Sequence, residues 1–510
     1  MTSRFAERSN GSSTMVMELQ PTIPPPSRTA STKSNGINLP AHPESSHSSS
    51  NGGFGDPGPG ITSNAPERWN DTRRNVLRFL AANYSFIILG INDAAYGPYT
   101  LCMLKISPYQ LESSKTNLRA RQLETYYNVS YTVISLVFLS PLVGYIASAL
   151  LNNMIHMRFG QRGVAIIGPL AHLIAYIIVC IHPPYPVLVV AFIIAGLGNG
   201  LADAAWNAWV GGMANANELL GLVHGCYGLG ALLAPTIATS LITKADWTWY
   251  QFYYLVTGAA FLELVFLATT FWNATGAQYR EAHPRTSEVT DSNELSNEEQ
   301  QVRKRDIILT KIFGRSRTAE AAKNKVTWIC AFFLIAYVGI EVALGGWIVT
   351  FMIRVRHASN FASGMASTGF WAGLTVGRVI LGFVTPRLFK SEKRAVAVYL
   401  IISVALQLLF WLIPQFVVSA VMAAFLGFFL GPLFPAAIVA ATKLLPKHLH
   451  VSAIGFAAAL GASGATLLPF AVGAIAQVRG VQVLQPIVLA ILVVDLAIWL
   501  CLPSLSKKAQ

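Results

Sequence analysis

From residue 76 onward the chain alternates long apolar stretches with short polar or charged breaks. A helix needs about 20 residues to cross roughly 30 Å of hydrocarbon. The pattern predicts twelve such spans, at 76–103, 125–150, 163–182, 186–211, 218–242, 249–272, 326–352, 361–386, 395–413, 416–441, 451–477 and 483–503. One long charged interruption at 274–325, with Glu298-Glu299 and Arg303-Lys304-Arg305, separates six spans from six and reads as a linker. Residues 1–75 have a different texture. Ser, Pro, Gly and Asn dominate them, so they cannot bury enough apolar surface to offset the entropy of ordering, and a disordered tail is expected. The tail lacks the apolar core of a signal peptide, so the first span is expected to be an uncleaved anchor. Residues 504–510 form a short C-terminal tail.

The two sets of six spans repeat one another. Gly90, Ile91, Ala94 and Gly97 of span 1 align with Gly339, Ile340, Ala343 and Gly346 of span 7, which sets Asn92 opposite Glu341. Gly221, Gly230, Ala231, Leu233 and Pro235 of span 5 match Gly455, Gly464, Ala465, Leu467 and Pro469 of span 11, and Gly196 and Gly200 of span 4 match Gly427 and Gly431 of span 10. Matches at 1/7, 4/10 and 5/11 imply parallel halves of six helices (76–273 and 326–503), the plan that places a solute site at the bilayer midplane between repeats.

Composition agrees. The chain is 53% hydrophobic and 12% charged, with a mean hydropathy of +0.48. Soluble domains carry roughly 25% charged residues, so the bilayer must be the solvent here. The net charge of +13 is not read as nucleic-acid binding, because the basic residues cluster in loops between spans. A roughly threefold Lys and Arg excess in the tails and even-numbered loops places both termini, and the 274–325 linker, in the cytoplasm. The five cysteines show no CxxC or metal spacing. No GxxxxGK[ST] loop, catalytic triad or zinc cluster is present, so neither ATP drive, enzymatic activity nor a cofactor is expected.

Three runs carry a family resemblance: Gly90-Ile-Asn-Asp-Ala-Ala-Tyr-Gly-Pro98, Gly198-Asn-Gly-Leu-Ala-Asp-Ala-Ala-Trp-Asn-Ala-Trp209 and His224-Gly-Cys-Tyr-Gly-Leu-Gly230. Over roughly 76–503 the chain resembles the major facilitator superfamily, and within it the fucose-permease-like branch of sugar–proton symporters, fungal members above all. The resemblance implies an all-α polytopic fold of 12 transmembrane helices, functional as a monomer. Spans 1, 4, 7 and 10 would line the cavity, 2, 5, 8 and 11 the seam, and 3, 6, 9 and 12 the outside. The family's loop 2–3 signature survives only in part: Gly144, Arg158, Phe159, Gly160 and Arg162 remain, but its acid is replaced near Ser148.

Ionisable groups inside spans cost about 2.5–3.5 kcal/mol each on insertion scales, so each asks for a reason. His172, Glu263 and Asp495 sit on outer helices, where packing is the expected role. Asp93 and Asp203 match positions at which the resembled symporters handle proton and sugar, and are expected to couple transport to protons, with sodium as the other candidate ion. Asn199, Asp203, Trp206 and Asn207 share one helical face, and Asn92, Tyr96 and Tyr99 another. Hydrogen-bonding groups beside aromatic platforms suit a polyol. Asn92, Tyr96, Asn199, Trp206, Asn207, Glu341, Trp347 and Trp371 are therefore expected to bind substrate. Trp249 and Trp499, at span ends, suit interfacial anchors. Asp203, His224 and Arg378 fall at similar depth by residue counting, which predicts an Asp203–Arg378 gate with His224 beside it. These readings converge on a symporter of a sugar or similar solute in the plasma membrane or an internal membrane. An efflux transporter of the same fold and a non-transporting nutrient receptor are the alternatives.

Overall fold

A computed structural model of the chain describes residues 66–95, 136–245, 247–284 and 317–503. The tails, Tyr96, Tyr99, the far end of span 1, the start of span 2 and the middle of the linker lie outside the described residues. Every regular element described is helical. The first half holds α1 (Arg73–Ala95), α2 (Leu136–Phe159), α3 (Gln161–Cys180), α4 (Tyr185–Gly211), α5 (Ala216–Lys244) and α6 (Phe252–Thr270). Two short helices follow, α7 (Gly276–Ala282) and α8 (Arg317–Lys323). The second half holds α9 (Lys325–Arg354), α10 (Asn360–Leu388), α11 (Glu392–Leu412), α12 (Phe416–Leu430), α13 (Leu433–Leu444), α14 (His450–Arg479) and α15 (Leu484–Leu500). With α12 and α13 counted together and the short turns before α6, α14 and α15 included, ten spans from α3 onward are long and apolar enough to cross a bilayer. The lipid satisfies no backbone group, so closed helical hydrogen bonding is the form these stretches must take. On α2, Leu139, Val143, Ile146 and Leu150 stand exposed on one stripe, as a lipid-facing surface requires.

Local chemistry sets the helix ends. The Asn324 side chain accepts from the Val326 N–H ahead of α9, and Ser359 accepts from the Ala362 N–H ahead of α10. Gly480, at φ 82°, ends α14 in a conformation other residues avoid. The expected tenth span divides at Gly431-Pro432, where proline removes a backbone donor.

The packing repeats as the sequence does. In the first half α1 lies on α5 and α6, α4 on α2 and α3, and α3 on α6. In the second half α9 lies on α14 and α15, α12 on α10 and α11, and α11 on α15. The halves meet where α5 packs on α10 and α14 on α2. The matched glycines have a shared physical cause. A methyl on Gly230 would stand 2.2 Å from the Ile87 carbonyl oxygen, and one on Gly464 would stand 2.1 Å from that of Ile335. Both positions let a backbone reach its partner helix with nothing between them.

Contacts between the halves gather at the end that carries the α2–α3, α4–α5, α10–α11 and α13–α14 turns. There Gly221 and Gly382 face each other and Asn217 donates to Glu392 (3.2 Å), while within the linker the Arg317 Nη2 donates to the His283 carbonyl (2.9 Å). The partial loop signature works without its acid. Ser148 is buried against Gly200 and donates to the Tyr145 carbonyl, and α2 runs on as helix to Phe159. Arg158 and Arg162 lie over the Phe159 and Trp272 rings, and Gly160, at φ 73°, tucks under the backbone of 274–275. Two expected anchors differ. Trp249 and Trp499 are buried, and the Trp499 Nε1 donates to the Lys393 carbonyl, so their rings close helix ends against protein.

Candidate functional site

Asp93 sits on the last turn of α1 described, half-buried and turned toward the middle of the bundle. Three donors hold its carboxylate. The Asn199 Nδ2 of α4 reaches Oδ1 at 2.7 Å, the Tyr227 hydroxyl of α5 reaches Oδ2 at 3.0 Å, and the Asn92 Nδ2 reaches Oδ1 at 3.2 Å. Asn92 is itself fixed by the Tyr176 hydroxyl of α3, which donates to its Oδ1 at 3.0 Å. Four helices of one half thus converge on a single carboxyl group. Placing a carboxylate here is costly, and these donors replace the water it has lost.

Asp203 lies one turn along α4 from Asn199 and is 8% exposed. It accepts from the Asn207 Nδ2 (2.7 Å), and the His224 Nε2 lies 2.9 Å from the Asn207 Oδ1. The His224 ring is held between Phe86 of α1 and Phe434 of α13, at 5.2 and 4.8 Å between centroids. Asp203 and His224 are therefore joined through Asn207, and the chain ends on an aromatic ring of the other half.

Arg378 of α10 does not join them. Its Nη2 donates to both carboxylate oxygens of Glu341 at 2.9 Å, with both side chains almost wholly buried, and approaches the Tyr337 hydroxyl at 3.4 Å. This corrects the expected Asp203–Arg378 gate. Counting depth along helix axes ignores the reach of an arginine side chain and the direction in which each helix face points, and Glu341 on adjacent α9 satisfies the guanidinium first. The same pair changes the reading of Glu341: both its oxygens are committed to Arg378, and it is 5% exposed.

The remaining expected residues divide. Trp347 and Trp371 are half-buried in the second half. The Trp347 Nε1 donates to the Pro469 carbonyl (3.0 Å) while its ring covers Gly473, and the Trp371 ring covers Gly345. Trp206 departs from expectation. It is fully buried, with its ring 4.6 Å from Phe271 and 6.5 Å from Trp209, and so packs α4 on the end of α6 rather than flooring a site. Tyr96 lies outside the described residues.

Three residues join the site unanticipated. Tyr227, Tyr176 and Tyr337 carry hydroxyls that meet Asp93, Asn92 and the Arg378–Glu341 pair. For Tyr227 a signal existed, because it stands in the His224–Gly230 run, three residues from His224. Behind Tyr176, His172 and Glu263 form a pair at 3.0 Å with neither side chain exposed, and the Ser85 hydroxyl donates to Glu263 at 2.6 Å. Among the described residues no group of three metal-type ligands occurs.

Comparison with known proteins places this arrangement. A model of the Major Facilitator Superfamily matches residues 84–469. Bypass of stop codon protein 6 of Saccharomyces cerevisiae is 27% identical over 416 residues, covering 80% of this chain and 78% of that protein. The glucose/mannose transporter GlcP of Bacillus subtilis is 22% identical over 352 residues, covering 68% of this chain and 80% of that protein. Among solved structures, the transporter FucP in its outward conformation aligns with a TM-score of 0.58 at 11% identity, over 85% of this chain and all of that one. The human organic anion transporter MFSD10 aligns with a TM-score of 0.58 at 12% identity, over 84% of this chain and all of that one. At such identities the structural likenesses establish the fold alone.

Proposed function

The chain belongs to the Major Facilitator Superfamily, and from that premise we propose that it is a proton-coupled symporter of a sugar or similar polyhydroxyl solute. The observation that carries the reading is the half-buried Asp93 carboxylate, held by neutral amide and hydroxyl donors from α1, α4 and α5. Among the described residues no cation pairs with it directly, so it can take up and release a proton without breaking a salt bridge. The surrounding donors also match the hydroxyl edges of a sugar. The relatedness to a glucose/mannose transporter supports the same solute class.

Alternating access follows from rocking the halves about the α5–α10 and α14–α2 seams. The contacts at Gly221–Gly382 and Asn217–Glu392 close one end. In this reading the excess of Lys and Arg makes that end the cytoplasmic one.

The test is uptake by the purified full-length chain in proteoliposomes, with labelled D-glucose, D-mannose and L-fucose as probes. An inward proton gradient should drive accumulation of at least one of them, and a protonophore should abolish it. Proton-driven movement of amphiphilic organic anions, with none of the sugars transported or competing, would replace this reading with efflux.

A further inference from the structure

Within the proposed proton-coupled cycle, we infer that Tyr227 is the link by which protonation of Asp93 in one half reaches the Arg378–Glu341 ion pair in the other. Tyr227 alone among the site residues touches both. Its hydroxyl donates to the Asp93 Oδ2 at 3.0 Å, and its ring lies beneath the Arg378 guanidinium, 5.4 Å from Cζ to centroid. It stands on α5, and Arg378 stands on α10, so the link crosses the seam about which the halves must move.

The two contacts depend on one another. A carboxylate at Asp93 is a strong acceptor that holds the phenol O–H, and the hydroxyl in turn fixes the plane of the ring. A ring in that plane offers its electron-rich face to Arg378. The Arg378 guanidinium is almost wholly buried, so the ring face is part of what surrounds the cation in place of solvent. When Asp93 takes a proton from the solvent-facing side, Oδ2 loses its charge and the phenol loses its strong acceptor. The ring is then free to tilt away from Arg378, which keeps Glu341 and Tyr337. The proton stays on Asp93, no other bond is made or broken, and the message is carried by geometry.

Charged and titratable groups packed around Asp93 come from several helices. Tyr145 faces it from α2, His172 from α3, Asp203 from α4 and Tyr227 from α5. On the second half Glu341 and Arg378 lie beyond the Tyr227 ring. Tyr145 faces Asp93 without crossing the seam, and His172 and Asp203 belong to the same half as Asp93. Tyr227 has Asp93 on one side and Arg378 on the other. The internal repeat sharpens the point: the position of α14 equivalent to Tyr227 is Gly461, which packs on Leu334. The link is therefore unique to one seam.

The experiment measures conformation without needing the solute. Spin labels at His182→Cys and Val478→Cys report the distance between the halves in full-length protein, in lipid nanodiscs, with the five native cysteines replaced. Wild type should shift its distance distribution between mildly acidic and mildly alkaline buffer, and Asp93→Asn should show the acidic distribution in both. Tyr227→Phe keeps the ring and loses the hydroxyl, and should reduce the pH-driven population shift at least about fivefold. Arg378→Lys keeps the charge beside Glu341 and loses the planar cation, and should do the same by breaking the far contact. An undiminished shift in folded Tyr227→Phe, with Asp93→Asn unresponsive, would overturn the link and leave the symport reading standing. A wild type indifferent to pH would overturn the proton-coupled reading itself, and the link with it.

Discussion

The two halves share one packing plan and use opposite electrostatics. In the first half, Asn199, Asp203 and Asn207 line α4, while the equivalent positions of α12 and α13 are Leu430, Phe434 and Ile438. Asp93 and His224 correspond to Val342 and Ala458. Between α3 and α6 the first half buries His172 against Glu263, whereas between α11 and α15 the second half buries Gln407 against Gln485, with Nε2 donating to Oε1 at 2.6 Å. What the second half adds is an almost wholly buried ion pair, Arg378–Glu341. On the helices that face the site, groups that can change charge thus lie in the first half, and the facing helices of the second provide a buried ion pair and an apolar wall, while Asp495 is buried apart from the site on the outer helix α15. When an element that gains and loses a proton is opposed by one that does not, the field across the site follows the protonation of the first alone.

The largest effect that would break this contrast lies at Asp93. Asp93→Asn should reduce gradient-driven accumulation by about 100-fold or more while downhill exchange survives, because the amide mimics the protonated acid. Tracer accumulation against exchange in proteoliposomes decides it. Next is the closed pair. Arg378→Gln should cost about 3–5 kcal/mol of stability by leaving Glu341 buried alone, and adding Glu341→Gln should recover most of it. Thermal unfolding in detergent checks both, and a double variant no more stable than the single would deny that the pair is self-contained.

A smaller effect is expected at His172 and Glu263. Replacing both by Gln copies the neutral chemistry of Gln407 and Gln485, and should retain uptake in proteoliposomes. Loss of uptake in a double variant that still folds would give the pair a part in transport beyond packing. The smallest concerns His283, outside the spans, whose imidazole burial pushes below its ordinary 6.5. It is neutral when folded and gains a proton more readily when unfolded, so its contribution to stability is present above that value and is lost as pH falls through it. His283→Gln should weaken the acid-induced fall in Tm by about a degree or two.

Much of this was readable from the chain. Apolar lengths located the spans because a bilayer imposes them, and the paired glycines exposed the repeat because only glycine allows those helix contacts. Asp93, Asn92 and Asn199 stood out as polar groups inside apolar helices, and the structure brings them together. The partner of Arg378 was not readable, since sequence gives depth along an axis and says little about direction around it. Trp206 misled for a related reason. It shares an arc with Asn199 and Asp203, but its long indole leans toward Phe271. Tyr227 was hidden by its place on a span expected to form the seam, although its hydroxyl reaches Asp93 and its ring reaches Arg378.

The central claim, that protons are exchanged by the first half against a fixed charge pair in the second, is tested most directly by pH-induced infrared difference spectra of the carboxyl groups in the full-length protein. The account predicts a protonation band that disappears in Asp93→Asn and persists when Glu341→Gln and Arg378→Gln are combined. A band untouched by Asp93→Asn and removed by the Glu341–Arg378 double variant would contradict it.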